Sequence, residues 1–484
     1  MKKQSEECST LSPTRVPTNT GFTVIGRWSG GHSGPSGLED GDGHHPILNE
    51  DKSKGMIASG GIYNFQRIRD RLDKGYPFQT HSDSEVILAL YSQRGPDGVR
   101  DLDGKFVLAL FDKTRDIFLL ARDPLGVKAL YYGYRGATIY FTSERMALSL
   151  AEVEEVYEFP PGHYYTPADG FVRYYRLPEV DRRPLLNIES IGLRIRKILP
   201  RAVHKRVMTG PQVPVGLLCG GDLASSIVAA IAARQIRELH TFAVDMGDGQ
   251  GNHADDFVTA RLVVAHIGTT HHELIVTEND FHEALHQVIY QLRSCTPSVI
   301  RPALYWFIVS KLTADYVSVV LTGQGANELF AGYHYMKHFP LAKVNAECRR
   351  CLGDLHHLDL ERADALAVYF NLQIRAPFLD NEMISLSMKI PAALKIKKGE
   401  NGHKISKWIF RQAFAQKGFL SDEILWRGKQ RHPQQESFAS LADVLANREI
   451  DDEEMSRLSI DHPGVNIDSR EAALYFKILR EVHP

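Results

Sequence analysis

Two glycine turns carry the residues best suited to chemistry. The stretch VPVGLLCGGDLASSIVAAIAAR begins with an apolar, β-branched run at 213–218 that reads as a buried strand. Gly220 and Gly221 allow a sharp turn and the close approach of a ligand. Ser225 and Ser226 are expected to open an alanine-rich helix, and a helix N-terminus, with its unpaired N–H groups, suits a phosphate or pyrophosphate. The same grammar recurs in VSVVLTGQGANELFAGY, as a strand at 317–322, a turn at Gly323, Gln324 and Gly325, and a helix. Strand-turn-helix units are also ordinary in α/β domains, so context decides what these turns do. Other candidates are weaker. Cys348 and Cys351 form CRRC without a second pair or a neighbouring histidine cluster, which reads as a helical coincidence rather than a zinc site. His271 and His272 precede a strand and suggest no metal. The tyrosine pairs Tyr131-Tyr132 and Tyr164-Tyr165 read as core and rim, and KIKK at 395–398 reads as a solvated face.

The elements that position the turns follow from patterning. Residues 1–55 are rich in Ser, Thr, Gly, Pro and His and read as loop. Helices are expected at 65–72 and 84–94. Paired strands are expected at 105–112 and 116–123, and further short strands around ALYYGY, TIYFTSE, GHYYTP and GFVRYYR imply an antiparallel system. The charged, proline-bearing segment 177–187 marks a domain boundary, placing one domain at 56–180 and a second at 185–484. Beyond it a helix at 188–207 is followed by alternating strands and helices, which predicts a doubly wound parallel sheet. Ligands sit at the carboxyl ends of such strands, so both glycine turns should face one crevice.

Composition bounds the function. The chain has 484 residues, 43% hydrophobic and 24% charged, with a formal charge of −2. That balance gives no reason to expect nucleic acid or membrane as a partner. Five scattered cysteines fit a reducing compartment, and with no 18-residue apolar run a cytoplasmic location is expected.

Taken together, SGGIYNF, HSDSEVILALY, LDGKFVLALFD and ARDPLGVKALYYGY, followed by VPVGLLCGGDLASS, LTGQGANELFAGY, IRAPFLD, KISKWIFRQAF and SREAALYFKILREV, resemble the glutamine-hydrolysing asparagine synthetases. The likeness runs from about residue 56 to the end. It implies an α+β and α/β two-domain chain: an N-terminal-nucleophile glutaminase-like sandwich, then an ATP-pyrophosphatase domain. It also implies activation of aspartate as an acyl-adenylate and attack by ammonia delivered through an internal tunnel. By the same resemblance Cys219, Gly220, Gly221, Ser225, Ser226, Asp256, Gly323, Lys407 and Lys429 would meet ATP. Arg301 and Arg375 would lie on the substrate side, and Gly60 and Asp83 would remain from a glutamine site.

The departures from the family are chemical. Its glutaminase cysteine follows the initiator methionine, where this chain has Lys2, and the surroundings of Cys8 do not resemble the family's opening strand. Its glutamine-gripping Asn-Gly-Glu is Ser59-Gly60-Gly61, and its Arg-Gly-Pro-Asp is nearest to Ser33-Gly34-Pro35-Ser36. An inactive glutaminase is expected. The family's Ser-Gly-Gly-Leu-Asp-Ser-Ser is here CGGDLASS, so either Leu-Asp has become Asp222-Leu223 or an insertion leaves Ala224 at the aspartate position. Family acids are replaced by Gln324 and Asn327, and others by Arg293, Thr296, Gln373 and Ser406. Mg²⁺ prefers carboxylate oxygens, so ATP is the expected ligand and Mg²⁺ is not expected at its usual place. The expected role is that of a pseudoenzyme or regulatory paralogue, as a homodimer or a heterodimer with an active family member. The alternative is an ammonia-dependent ATP ligase that makes an amide or lactam.

Overall fold

The computed structural model describes residues 19–25, 28–34, 45–72, 75–181, 184–207, 213–246, 254–399, 402–416, 418–428 and 433–482. Lys2, Cys8, Pro35, Ser36 and Lys429 lie outside them.

The first domain is built on a six-stranded antiparallel sheet. Its strands are β3 (Ile47–Leu48), β4 (Lys54–Ile62), β5 (Gly104–Asp112), β6 (Ile117–Arg122), β10 (His163–Thr166) and β11 (Gly170–Arg173), in the order β11-β10-β6-β5-β4-β3. The central strand β5 is buried on both faces, and the period of two shows why. Phe106, Leu108 and Leu110 pack with the helices Phe65–Leu72 and Glu85–Arg94. Val107, Ala109 and Phe111 face the other way and join Phe118, Leu120 and Phe159. That second face is covered by Tyr132, Ile139 and Phe141 of a three-stranded sheet, β7 (Tyr131–Arg135), β8 (Thr138–Thr142) and β9 (Val156–Glu158), ordered β8-β7-β9.

Two expectations are corrected here. Within the stretch read as loop, β1 (Asn19–Ile25) and β2 (Trp28–Gly34) form an antiparallel pair, from Asn19↔Gly34 to Ile25↔Trp28. Glycine and serine dominate β2, so it shows none of the apolar alternation by which a strand is recognised. KIKK is not a solvated face. Lys395 ends the helix Ala392–Lys395 fully buried, Ile396 is buried beside it, and only Lys397 and Lys398 are exposed. Tertiary packing against Cys348 and Met336 overrides the polar composition.

The second domain carries a five-stranded parallel sheet of β12 (Val215–Leu218), β13 (His240–Asp245), β14 (Thr270–Ile275), β15 (Val319–Leu321) and β16 (Gln373–Arg375), ordered β14-β13-β12-β15-β16. Each face has its own core. Leu217 and Leu321 pack with Ile195 and Leu199 of the helix Ile188–Val207. Leu218 and Val320 pack with Val288 and Leu304 of the helices Glu278–Leu292 and Pro297–Ala314. The chain begins at β12, winds outward through β13 and β14, and returns on the other side through β15. Neighbouring β12 and β15 therefore form the topological switch point, and both glycine turns leave their carboxyl ends. No helix among the described residues is long and apolar enough to cross a membrane.

Candidate functional site

The first turn is held rigidly by its own side chains. Gly221 has φ +80, and a Cβ there would collide with the carbonyl oxygen of Asp256. The helix that follows is Leu223–Ala232, so it starts before the two serines expected to open it. Asp222 is the N-cap. Its Oδ1 accepts from the N–H groups of Ala224 at 2.8 Å and Ser225 at 3.4 Å, and its Oδ2 accepts from Ser225 Oγ at 2.7 Å. Ser226 Oγ donates to the Asp222 carbonyl at 2.7 Å. Cys219 is fully buried, and burial pushes its thiol up to about 12, so it packs rather than reacts.

The second turn abuts the first. A Cβ on Gly323 would lie 2.9 Å from the Ser225 nitrogen and 3.1 Å from the Ala224 methyl, so glycine is what lets the turns touch. Ala224 faces the second turn. Gln324 Nε2 donates to Asp359 Oδ2 at 2.6 Å, and its Oε1 accepts from Thr322 Oγ1 at 3.0 Å. Asp359 is held on its other oxygen by Trp306 Nε1 at 2.9 Å. A Cβ on Gly332 would strike both Asn327 Oδ1 and the end of Lys407, which places those two side chains together. Asn327 Oδ1 is buried and accepts from no donor among the described residues. Lys407 is buried, in the left-handed region at φ 55, as the N-cap of the helix Trp408–Phe414. Glu328 accepts from the Tyr333 hydroxyl, and burial raises its carboxyl above the usual range.

Other expected site residues are engaged elsewhere. Asp256 pairs with Arg427, whose guanidinium also donates to the Gly221 carbonyl at 3.4 Å and so straps across the first turn. Arg301 is bound by Glu471 and by Asp443, the latter at 3.4 Å. Arg375 donates to the Arg206 carbonyl at 2.7 Å and to Gln373 Oε1 at 3.0 Å. In the first domain Gly60 has φ +132, and a Cβ there would strike the Lys105 carbonyl. Asp83 Oδ2 accepts from the Ile62 N–H at 2.6 Å, and burial raises its carboxyl. CRRC lies on the helix Leu341–Gly353, where Cys351 meets the Tyr335 hydroxyl at 3.2 Å.

Arg427, Asp359 and Trp306 were not expected at the site. Arg427 stands two residues before Lys429, which offered a signal, whereas nothing local points to Asp359 or Trp306.

Between the domains lies a small cleft, reached by Gln324 from the second turn and by Tyr63 and Asp103 from the first domain. Its lining is mostly apolar and includes the buried ion pair of Lys105 and Asp364. Lys105 Nζ lies 3.0 Å from Asp364 Oδ1, and Lys128 Nζ lies 2.8 Å from Asp364 Oδ2. Burial alone would raise Asp364, but the two ammonium groups outweigh it and hold the carboxyl down at about 2. Lys205 bridges the domains as well, at 3.0 Å from Asp103 and 2.9 Å from Asp380.

Comparison with known proteins agrees with this architecture. A glutamine amidotransferase domain model matches residues 3–170, and an asparagine synthase model matches 194–347 and 341–465. The chain is 32% identical to a probable glutamine-hydrolysing asparagine synthetase of Dictyostelium discoideum, covering 93% of this chain and 84% of that one. It is 32% identical to asparagine synthetase B of Escherichia coli, covering 100% and 89%, and 33% identical to asparagine synthetase 2 of Arabidopsis thaliana, covering 91% and 78%. With both domain models in order and a third of residues identical along nearly the full length, the chain belongs to the glutamine-hydrolysing asparagine synthetase family.

Proposed function

We propose that this chain is a regulatory member of its family, with a silent amidotransferase domain and a synthetase crevice that binds ATP without turning it over. One observation carries the reading: the only carboxylate on the first turn, Asp222, is spent on capping its own helix. Ala224 meets the second turn in its place, and the second turn offers an amide, Asn327. This donor set does not fit Mg²⁺, which wants several carboxylate or phosphate oxygens in near-ideal octahedral array. Without the metal, adenylation loses several kcal/mol of transition-state stabilisation, on the order of 10³-fold in rate.

Nucleotide binding asks less. The buried Lys407, beside the second turn, supplies positive charge for a phosphate. A chain of this kind would act on a partner, as a homodimer or joined to an active family member.

The second reading, an ammonia-dependent ligase, is favoured by the retention of Lys407 beside Asn327, where a phosphate-facing cation would be needed. One experiment separates the two. The purified chain is incubated with ATP, Mg²⁺, aspartate and ammonium, and AMP and pyrophosphate are measured. The regulatory reading expects none, together with a rise in melting temperature on adding ATP that does not depend on Mg²⁺. Stoichiometric AMP and pyrophosphate would overturn it in favour of the ligase.

A further inference from the structure

The most unusual side-chain cluster lies away from both expected sites, where β9 of the first domain meets the second. Glu158 ends β9. His356 and His357 open a short π-helical turn, His356–Leu360, ahead of the helix Glu361–Tyr369. Such turns are rare and collect at functional sites. Glu158 Oε1 is 3.5 Å from His356 Nε2, and Glu158 Oε2 is 3.4 Å from His357 Nε2. The two rings stand side by side, with centroids 3.9 Å apart.

These distances discriminate between explanations. An N–H···O bond spans about 2.7–3.2 Å, so both contacts are too long for direct hydrogen bonds of good quality. A metal held tetrahedrally at about 2.0–2.1 Å from each ligand places those ligands about 3.3–3.4 Å apart, close to these separations, which run to the two oxygens of one carboxylate. All three ligating atoms lie within 4.8 Å of one another. Glu158 and Glu361 share a single guanidinium, that of the fully buried Arg122. Access fits as well. His356 closes the inner side, with 9% of its side chain exposed, while His357, at 58%, leaves the outer side open to an incoming ion. Arg122 NH1 donates to Glu158 Oε1 at 2.6 Å and fixes the carboxylate, as the groups behind a metal ligand commonly do.

We propose that Glu158, His356 and His357 form an interdomain site for a divalent transition metal of the zinc class, with one coordination position left for water or a further ligand. Two imidazoles and one carboxylate select Zn²⁺ or Co²⁺ over Mg²⁺ and Ca²⁺, which prefer oxygen donors. The ion joins the two domains, one ligand from the first and two from the second. It also reaches the second glycine turn, because the π turn that carries the histidines carries Asp359, the partner of Gln324. The site stands independently of the regulatory reading.

The test uses the full chain, stripped with chelator and titrated with Zn²⁺ by calorimetry and with Co²⁺ by visible absorption. One equivalent of Co²⁺ should give the intense d–d bands of tetrahedral coordination without a thiolate charge-transfer band, and Mg²⁺ in large excess should not displace it. His357→Gln changes an exposed side chain and is not expected to disturb folding; it should weaken affinity by about 10–100-fold. His356→Gln combined with His357→Gln should abolish that equivalent while circular dichroism stays unchanged. Zn²⁺ should raise the melting temperature of the wild type and not of the double variant. Unchanged stoichiometry and affinity in the folded double variant, a thiolate band, or no metal uptake by the wild type would each overturn the proposal.

Discussion

Replacing Asp364 by Asn should loosen the joint between the domains by about 3 kcal/mol. Asp364 is the one carboxylate between Lys105 and Lys128, whose side chains are only 4% and 9% exposed. Held at about 2 rather than near its unfolded value of about 3.9, the carboxyl contributes about 2.5 kcal/mol at neutral pH. Removing one partner of a buried ion pair costs about 3–5 kcal/mol, because the charge left behind is unpaired. The two routes meet near 3 kcal/mol, which corresponds to a fall of roughly 6–12 °C in melting temperature for a unit of this size. Calorimetry of the full chain across pH checks both size and sign. The folded-state value is depressed, so the contribution is fully present above the unfolded value and is lost as pH falls from about 4 toward 2. The gap between wild type and D364N should therefore be level from pH 8 to 5 and narrow below pH 4. Adding Lys128→Met to the D364N background should recover part of the loss by removing one of the two buried ammonium groups. A fall under about 2 °C at pH 7, or a gap that widens on acidification, would refute the reasoning.

Three further outcomes follow from the crevice. Asp222→Ala removes an N-cap and should cost about 1 kcal/mol in urea denaturation. Gly221→Ala puts a methyl into the Asp256 carbonyl at a backbone conformation alanine resists, and should cost at least about 2 kcal/mol and abolish any ATP-induced thermal shift. Gln324→Glu turns a donor 2.6 Å from Asp359 into a second carboxylate, raising the folded-state value of the new acid. Its cost, about 1–3 kcal/mol, should therefore grow as pH rises from 5 to 8 and fade on acidification, as melting curves at both pH values will report.

Much of the fold is legible because local pattern decides it. The odd and even residues of β5 separate onto two cores as the period of two demands, and the helix Ile188–Val207 has the bounds its periodicity suggests. The hairpin of β1 and β2 is illegible because its glycines and serines carry no alternation. Lys395 is illegible because a lysine in a basic stretch gives no sign that it will be fully buried beside Cys348. At the site, Asp222 stands before an apolar helix, where aspartate is a ready N-cap. Asp359 lies 35 residues from Gln324 and Glu158 nearly 200 from His356, and such pairings come from topology, which one sequence states only through the whole fold.

The replaced acids bear on whether this crevice is under use. A pocket losing its function by drift would keep the partners of its former charges and leave them unmatched. Gln324 instead gives Asp359 the donor that a glutamate could not, and Trp306 occupies the other oxygen, so that substitution sits within a satisfied network. Asp222 is similarly complete, with both oxygens accepting from its own helix. Asn327 Oδ1 is the exception: it is buried against Lys407 and lacks a donor, a costly arrangement unless something fills it. The unmatched acceptor lies on the turn that abuts the first glycine turn, where under the proposed reading a bound nucleotide or its water would supply the missing partner. The satisfied contacts at the first two positions and the unmatched acceptor at the third are what the proposed regulatory reading expects.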